Sequence, residues 1–189
     1  MISIRRARPS DALGIATVHV WAWRNSYAGI LPDAFLAGLS VPRQTVHYDG
    51  AIRAGVGVYV ATASGLDLPG GTTPRIVGFA TGGPVSARLR PGKRLAEGEI
   101  ETIYIMDDWR DRGLGRRLMR AEGAHLAAAG CRSAFLWVLR DNPNRWFYSR
   151  LGGKPVAEQT IKVGGAPVVQ VAFVWDPIER LLQASPTAS

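Results

Sequence analysis

The chain has 189 residues, 47% of them hydrophobic, which suits one domain with its own core. Its net charge is +8, and its single cysteine, Cys131, excludes an internal disulfide and reads as a small buried hydrophobe. No stretch is apolar enough to span a bilayer, and MISIRRARPSD lacks the apolar run of a signal peptide, so a cytoplasmic protein away from membranes is expected.

Ser3 to Arg8 reads as a short first strand. Ser10 and Asp11 offer N-caps for a helix through ALGIATVHVWAWRNSYAG, a second helical piece follows Pro32, and a third runs from about Pro42 to Ala54. The β-branched segment Gly55 to Ala63 reads as a strand, followed by the turn SGLDLPGGTTP and the strand RIVGFATGG. The polar loop SARLRPGKRLAEG leads into EIETIYIM. Alternation there puts Glu99, Glu101, Ile103 and Ile105 on one side and Ile100, Thr102 and Tyr104 on the other.

RDRGLGRRLM then opens a helix of about four turns that ends at Gly130, with Leu114, Leu118, Ala121, His125 and Leu126 along its apolar side. His125 reads as a buried, hydrogen-bonded histidine, and His19 and His47 as isolated. SAFLWVL is a strand and NRWFYSRL a short helix. VAEQTIKV and APVVQVAFVWD form a closing hairpin around Gly164-Gly165, and QASPTAS reads as a disordered tail. This order defines an α/β mixture, a single domain over 1–183 with 184–189 as the tail.

Nine arginines fall between Arg110 and Arg150, so the basic charge gathers around the glycine turn instead of coating the surface. A strand–turn–helix junction presents unbonded N–H groups at the positive end of a helix dipole, which attracts anions. Gly113 and Gly115 lack the Cβ atoms that would keep a phosphate from those amides. Arg116-Arg117 stands where a P-loop needs Lys-Ser or Lys-Thr, which excludes ATP or GTP hydrolysis by that motif. Leu118 occupies the third glycine place of the dinucleotide fingerprint and excludes that reading too.

What remains is Arg/Gln-x-x-Gly-x-Gly/Ala, with Arg110, Gly113 and Gly115 in the fixed positions. It lies between the strand IYI and a helix through Leu118-Met119, and is followed by a strand and NPNRWFYSRLGG. From about Glu99 to Gly153 this set resembles the GNAT N-acetyltransferase superfamily. The resemblance implies a central, mostly antiparallel sheet of six or seven strands with flanking helices, and an N-acetyltransferase that uses acetyl-CoA. It implies that Arg110, Asp111, Arg112, Gly113, Leu114, Gly115 and Arg116 hold the CoA pyrophosphate. It further implies that Ile103, Tyr104 and Ile105 splay from the next strand and pair with the pantetheine arm, and that Asn142 joins the CoA site. Two departures stand out. One residue fewer separates Asn142 from Tyr148 than in the family, so either Asp141 or Asn142 fills the Asn place. Gly153 stands where the family often has Phe.

On this reading Tyr148 is the acid for the leaving thiolate, or else a packing aromatic. Glu99 and Glu101 are the candidate bases for the ammonium, or else carboxylates that edge a wet cleft or pair with arginines. Of Arg116, Arg117, Arg120 and Arg145, Arg116 is assigned to the CoA phosphates and Arg120 to a solvated face. The segment HVWAWRNSYAGILP borders the acceptor side. There Trp21, Trp23, Arg24 and Tyr27 would bind substrate, Arg24 taking a carboxylate, unless the tryptophans only pack. The acceptor is a primary amine of a small molecule, an amino acid, or a peptide or protein N-terminus. No Cys/His/Asp cluster has metal-site spacing, so no metal is expected. The rival reading is a basic nucleic-acid-binding or CoA-binding module without turnover. The aromatics do not alternate with cations on a sheet, so no nucleic acid is expected. APVVQVAFVW, read as an apolar terminal strand, needs a partner or a cover, and a homodimer is the expected partner.

Overall fold

In the computed structural model, which describes residues 2–64, 74–85 and 95–184, β-branched runs assemble one seven-stranded sheet. The strands are β1 (Ile2–Arg6), β2 (Gly57–Ala63), β3 (Arg75–Pro84), β4 (Gly98–Ile105), β5 (Ala134–Leu139), β6 (Lys154–Val163) and β7 (Ala166–Trp175), in the order β1-β2-β3-β4-β5-β7-β6. Every pairing is antiparallel except β4 with β5. This is the mostly antiparallel α/β architecture expected. Most of the two polar loops expected before β3 and β4 lies at 65–73 and 86–94, outside the described residues.

The central strands are apolar on both sides because helices cover both sides. On one face lie α1 (Ala12–Ser26) and α3 (Val41–Arg53). Ile15, Val18 and Tyr48 pack there against Val58, Val60 and Phe79. On the other lies α4 (Leu114–Ala128), whose Leu114 and Leu118 meet Ala61, Ala63, Val77 and Ala80. Each fully buried leucine contributes roughly 2 kcal/mol of transfer free energy. Two short helices, α2 (Asp33–Ala37) and α5 (Trp146–Arg150), border the site, and α6 (Glu179–Ala184) closes the chain. Among the described residues no helix is long and apolar enough to cross a membrane.

Four expectations are corrected. First, Thr81 pairs with Thr102 but Gly82 with Ile100, so Glu101 is a bulge residue without a partner on β3. The bulge reverses the phase of β4. Ile100 joins Ile103 and Ile105 on the α4 side, while Tyr104 faces α1 and α3, so Glu99 and Glu101 do not share a continuous face with Ile103 and Ile105. Second, β7 lies between β5 and β6. The edge belongs to β6, which carries Lys154, Glu158 and Lys162, so the apolar strand is covered within the chain and the argument for dimer pairing falls away.

Third, Gln183 and Ala184 belong to α6 and not to a tail; residues 185–189 lie outside the described set. Arg120 donates to the Leu182 carbonyl at 2.7 Å and Arg116 to the Ala184 carbonyl at 2.9 Å, so Arg120 does not simply face solvent. Fourth, His125 is half-buried against Tyr59, with ring centroids 6.0 Å apart, and the fully buried polar group of α4 is Glu122. The glycine in the family's Phe position has a direct cause. A Cβ on Gly153 would come within 2.7 Å of Trp175, whose indole fills that volume and donates to the Leu151 carbonyl.

Candidate active site

β4 and β5 pair through Gly98–Ala134 and Glu99–Phe135, then part. The parting opens a cleft of about 1130 Å³ between the second half of β4 and β5, with the α4 turn, α5 and the end of α1 around it. Ile103, Tyr104 and Ile105 line it. They keep their ladder to β3 on the other edge, so their edge toward β5 is open to a ligand.

The turn before α4 is built by backbone conformations that few residues adopt. Gly113, the N-cap of α4, has φ +75° and no side chain caps the helix from that position; Asp111 has φ 58°. Gly115 is needed for space, since a Cβ there would come within 3.0 Å of the Phe147 ring. Asp111, Gly113, Leu114, Gly115 and Arg116 all line the cleft.

The arginines divide. Arg110 lines the cleft but is held by Asp107 at 2.7 Å and by the Ser26 hydroxyl at 3.1 Å. Arg112 lies over the Trp109 ring at 4.7 Å, off the cleft lining, and Arg117 donates to the Ile2 carbonyl. Arg145 donates to the Arg140 carbonyl and lies over Trp146. Arg116 keeps a place on the lining while it holds Ala184. The cation that sequence reasoning missed is Arg150, exposed at the end of α5 and on the lining; its place two residues after Tyr148 was the only signal.

Tyr148 lines the cleft from α5, packed against Phe147 and Phe173 at centroid distances of 5.4 and 5.8 Å. Burial, and secondarily Tyr27, raise its phenol above the ordinary tyrosine value, so it carries its proton at neutral pH. Asn142 also faces the cleft. Its Oδ1 accepts from the Asn144 amide at 2.8 Å, and its Nδ2 lies 3.5 Å from the Tyr27 hydroxyl. Asp141 is exposed beside Arg140 and off the lining, so Asn142 is the residue of the pair at the cleft. Glu99 and Glu101 both line it, Glu101 on the bulge.

On the α1 side the structure separates the four aromatic and basic candidates. Trp23 and Tyr27 line the cleft, their rings edge-on at 5.1 Å. Trp21 is off the lining. Arg24 is off it as well, donating to the carbonyls of Leu36, Ala37 and Leu39 at 3.2, 3.2 and 3.0 Å, where it caps α2. His19, read as isolated, bonds the Tyr48 hydroxyl through Nδ1 at 2.6 Å and stacks behind Trp23 at 5.4 Å. Burial, with a smaller effect of His47, lowers its pKa to about 4, so it is neutral in the fold. The i, i+4 spacing of His19 and Trp23 was a usable signal for that stack; the partner Tyr48 comes from another helix and was not.

The seven-stranded sheet whose parallel pair parts beside a glycine-opened helix is a fold shared with solved acetyltransferases. The chain belongs to the acetyltransferase (GNAT) family, whose model matches residues 30–152, and it is an acetyltransferase. The uncharacterized N-acetyltransferase YuaI of Bacillus subtilis (strain 168) is 30% identical over 181 residues, covering 96% of each chain. A GCN5-related N-acetyltransferase of Rhodopseudomonas palustris shares the fold at TM-score 0.67 and 18% identity, over 92% of this chain and 94% of that one. So does YncA, a putative acetyltransferase of Salmonella typhimurium solved with acetyl-CoA, at TM-score 0.65 and 16% identity, over 100% and 97%.

Proposed function

We propose that this acetyltransferase moves the acetyl group of acetyl-CoA to a primary amine by direct attack in a ternary complex. One observation carries the reading: β4 and β5 part beside an α4 N-terminus that no N-cap side chain closes. A peptide-like pantetheine arm suits the open β4 edge at Ile103–Ile105, and a pyrophosphate suits the amides from Gly113 to Arg116. That YncA was solved with acetyl-CoA supports the same coenzyme here.

The chemistry then falls to this chain's residues. Glu99 or Glu101 takes a proton from the ammonium, directly or through water. The freed nitrogen lone pair attacks the thioester carbonyl carbon, and the Ile105 amide is assigned to the oxygen that gains charge. As the C–N bond forms and the C–S bond breaks, the Tyr148 hydroxyl gives its proton to the sulfur and regains one from the nitrogen. The place of Tyr148 on the cleft lining supports its role as the donor. Holding both reactants in one cleft supplies the rest of the acceleration. The basic charge gives little support to a nucleic-acid module, because Arg24, Arg116, Arg117, Arg120 and Arg145 all bond backbone carbonyls.

Tyr148→Phe is the direct test. Its kcat is expected to fall on the order of 10²-fold with the acetyl-CoA KM within about 3-fold of the parent. An unchanged kcat would remove Tyr148 from the proton path.

A further inference from the structure

Beside the bulge at Glu101, side chains from four elements meet. Thr81 of β3 and Thr102 of β4 share a hydrogen bond of 2.6 Å between their hydroxyls, and they are the last pair before the ladder shifts. Tyr48 of α3 has two hydrogen-bond partners, the Thr102 side chain and Nδ1 of His19 on α1, the latter at 2.6 Å. A neutral imidazole offers one donor and one acceptor nitrogen, and each hydroxyl can give one proton and accept another, so the chain runs unbroken in either direction. His19, Tyr48 and Thr81 are buried, and Thr102 is half-buried on the cleft lining.

Packing fixes the two rings of this chain. His19 stacks on Trp23, which with Tyr27 forms the aromatic wall of the cleft, and Tyr48 meets Phe79 edge-on at 5.2 Å. Burial, and then the Glu101 carboxylate, raise the Tyr48 phenol above the ordinary tyrosine value, so it keeps its proton and remains a donor at neutral pH. A buried network whose members are all bonded holds one arrangement, and leaving one partner unbonded is costly. Thr102 is thereby tied to the helices that cover this side of the sheet.

That restraint acts next to a candidate base. In an unbroken ladder Glu101 would share the α4 side of β4 with Ile103. The bulge gives that side to Ile100 and leaves Glu101, one residue before Thr102, on the cleft lining. We infer that Tyr48 is a positioning residue for acetyl transfer: through Thr102 it fixes the bulge that presents Glu101, and Glu101 is the base. The inference rests on the acetyl-transfer reading above and chooses between its two carboxylates.

The test uses the purified full chain. Acetyl-CoA is first checked for a rise in Tm, and thiol release is then measured with ethanolamine, 2-phenylethylamine, L-phenylalanine and trialanine, the fastest of which is carried forward. Tyr48→Phe keeps the ring and removes the hydroxyl. Its kcat is expected to fall about 10-fold with the acetyl-CoA KM within about 2-fold of the parent. The same substitution is expected to lower kcat by less than about 2-fold in a Glu101→Gln background, and still by about 10-fold in a Glu99→Gln background. A mere loss of packing would lower kcat alike in all three. Amide hydrogen exchange gives a second readout that needs no acceptor. Those amides of residues 100–103 that are protected in the parent are expected to exchange about 10-fold faster in Tyr48→Phe, and those of residues 113–116 within about 2-fold of the parent. Should Tyr48→Phe not fold, Thr102→Val cuts the chain at its next link and is read in the same two ways. An unchanged kcat, an equal fall in all three backgrounds, or unchanged exchange over residues 100–103 overturns the inference. Where none of the four amines is turned over, the exchange decides. A parent protein that acetyl-CoA does not stabilise overturns the acetyl-transfer reading beneath it.

Discussion

Glu122 is fully buried in the packing face of α4, and neither of its carboxyl oxygens has a hydrogen-bond partner among the described residues. Gly82 makes room for it, since a Cβ there would come within 3.0 Å of Oε2. Burial, and then the charge of Glu101, hold its pKa well above the usual carboxylate range, so the group is neutral in the fold. A folded pKa raised above the unfolded one gives a contribution that is complete below the ordinary glutamate value and lost as pH rises toward the folded value. Glu122→Gln keeps the shape and removes the ionisation. It is expected to match the parent near pH 4 and to gain on it with rising pH, by up to about 1.4 kcal/mol per pH unit until the folded pKa is passed. Thermal denaturation from pH 4 to 9 checks this, and a pH-independent difference would contradict it. At this scale the sequence carried positions that local spacing fixes: Gly113 and Gly115 in the turn, and Asn142 and Tyr148 six positions apart on the cleft lining. It did not carry the fate of Arg24, Arg116 or Arg145, because long flexible cations find carbonyls that only the folded chain brings near.

At the scale of elements, α6 has only six residues and depends on docking. Leu181 is fully buried, and the carbonyls of Leu182 and Ala184 are received by Arg120 and Arg116 of α4. Arg120→Ala is expected to lower stability by about 1 kcal/mol, the scale of one charge-assisted bond at a partly exposed site. The acetyl-CoA KM should stay within about 2-fold of the parent. Chemical denaturation paired with steady-state kinetics reads both, and a KM raised 10-fold with stability intact would instead place Arg120 at the coenzyme. The order and type of the main helices and all seven strands were legible, because their apolar periods of 2 and 3.6 are long and clean. The bulge at Glu101 was not. Strict alternation over EIETIYIM puts Glu99 and Glu101 with Ile103 and Ile105, and the phase is reversed where Ile100 pairs with Gly82 on a neighbouring strand. The docking of α6 depends likewise on side chains some sixty positions away, and the interior place of β7 on strand order, which alternation does not encode.

For the whole molecule, the sheet does one thing that the chemistry uses: it holds β4 against β3 while letting it part from β5. The opening runs from the glycine turn to the aromatic wall, with Glu99, Glu101 and Tyr148 on its lining. The family was legible in the sequence because the glycine turn and the Asn-to-Tyr segment flank one strand. The acceptor end was not, since it is assembled from α1, β4, β6 and β7. Backbone amide resonances of the isotope-labelled protein, followed during titration with acetyl-CoA, test the central claim most directly. Saturable shifts, largest at Gly113 to Arg116 and at Ile103 to Ile105, are expected. Saturable binding that leaves both groups of amides unmoved would contradict it.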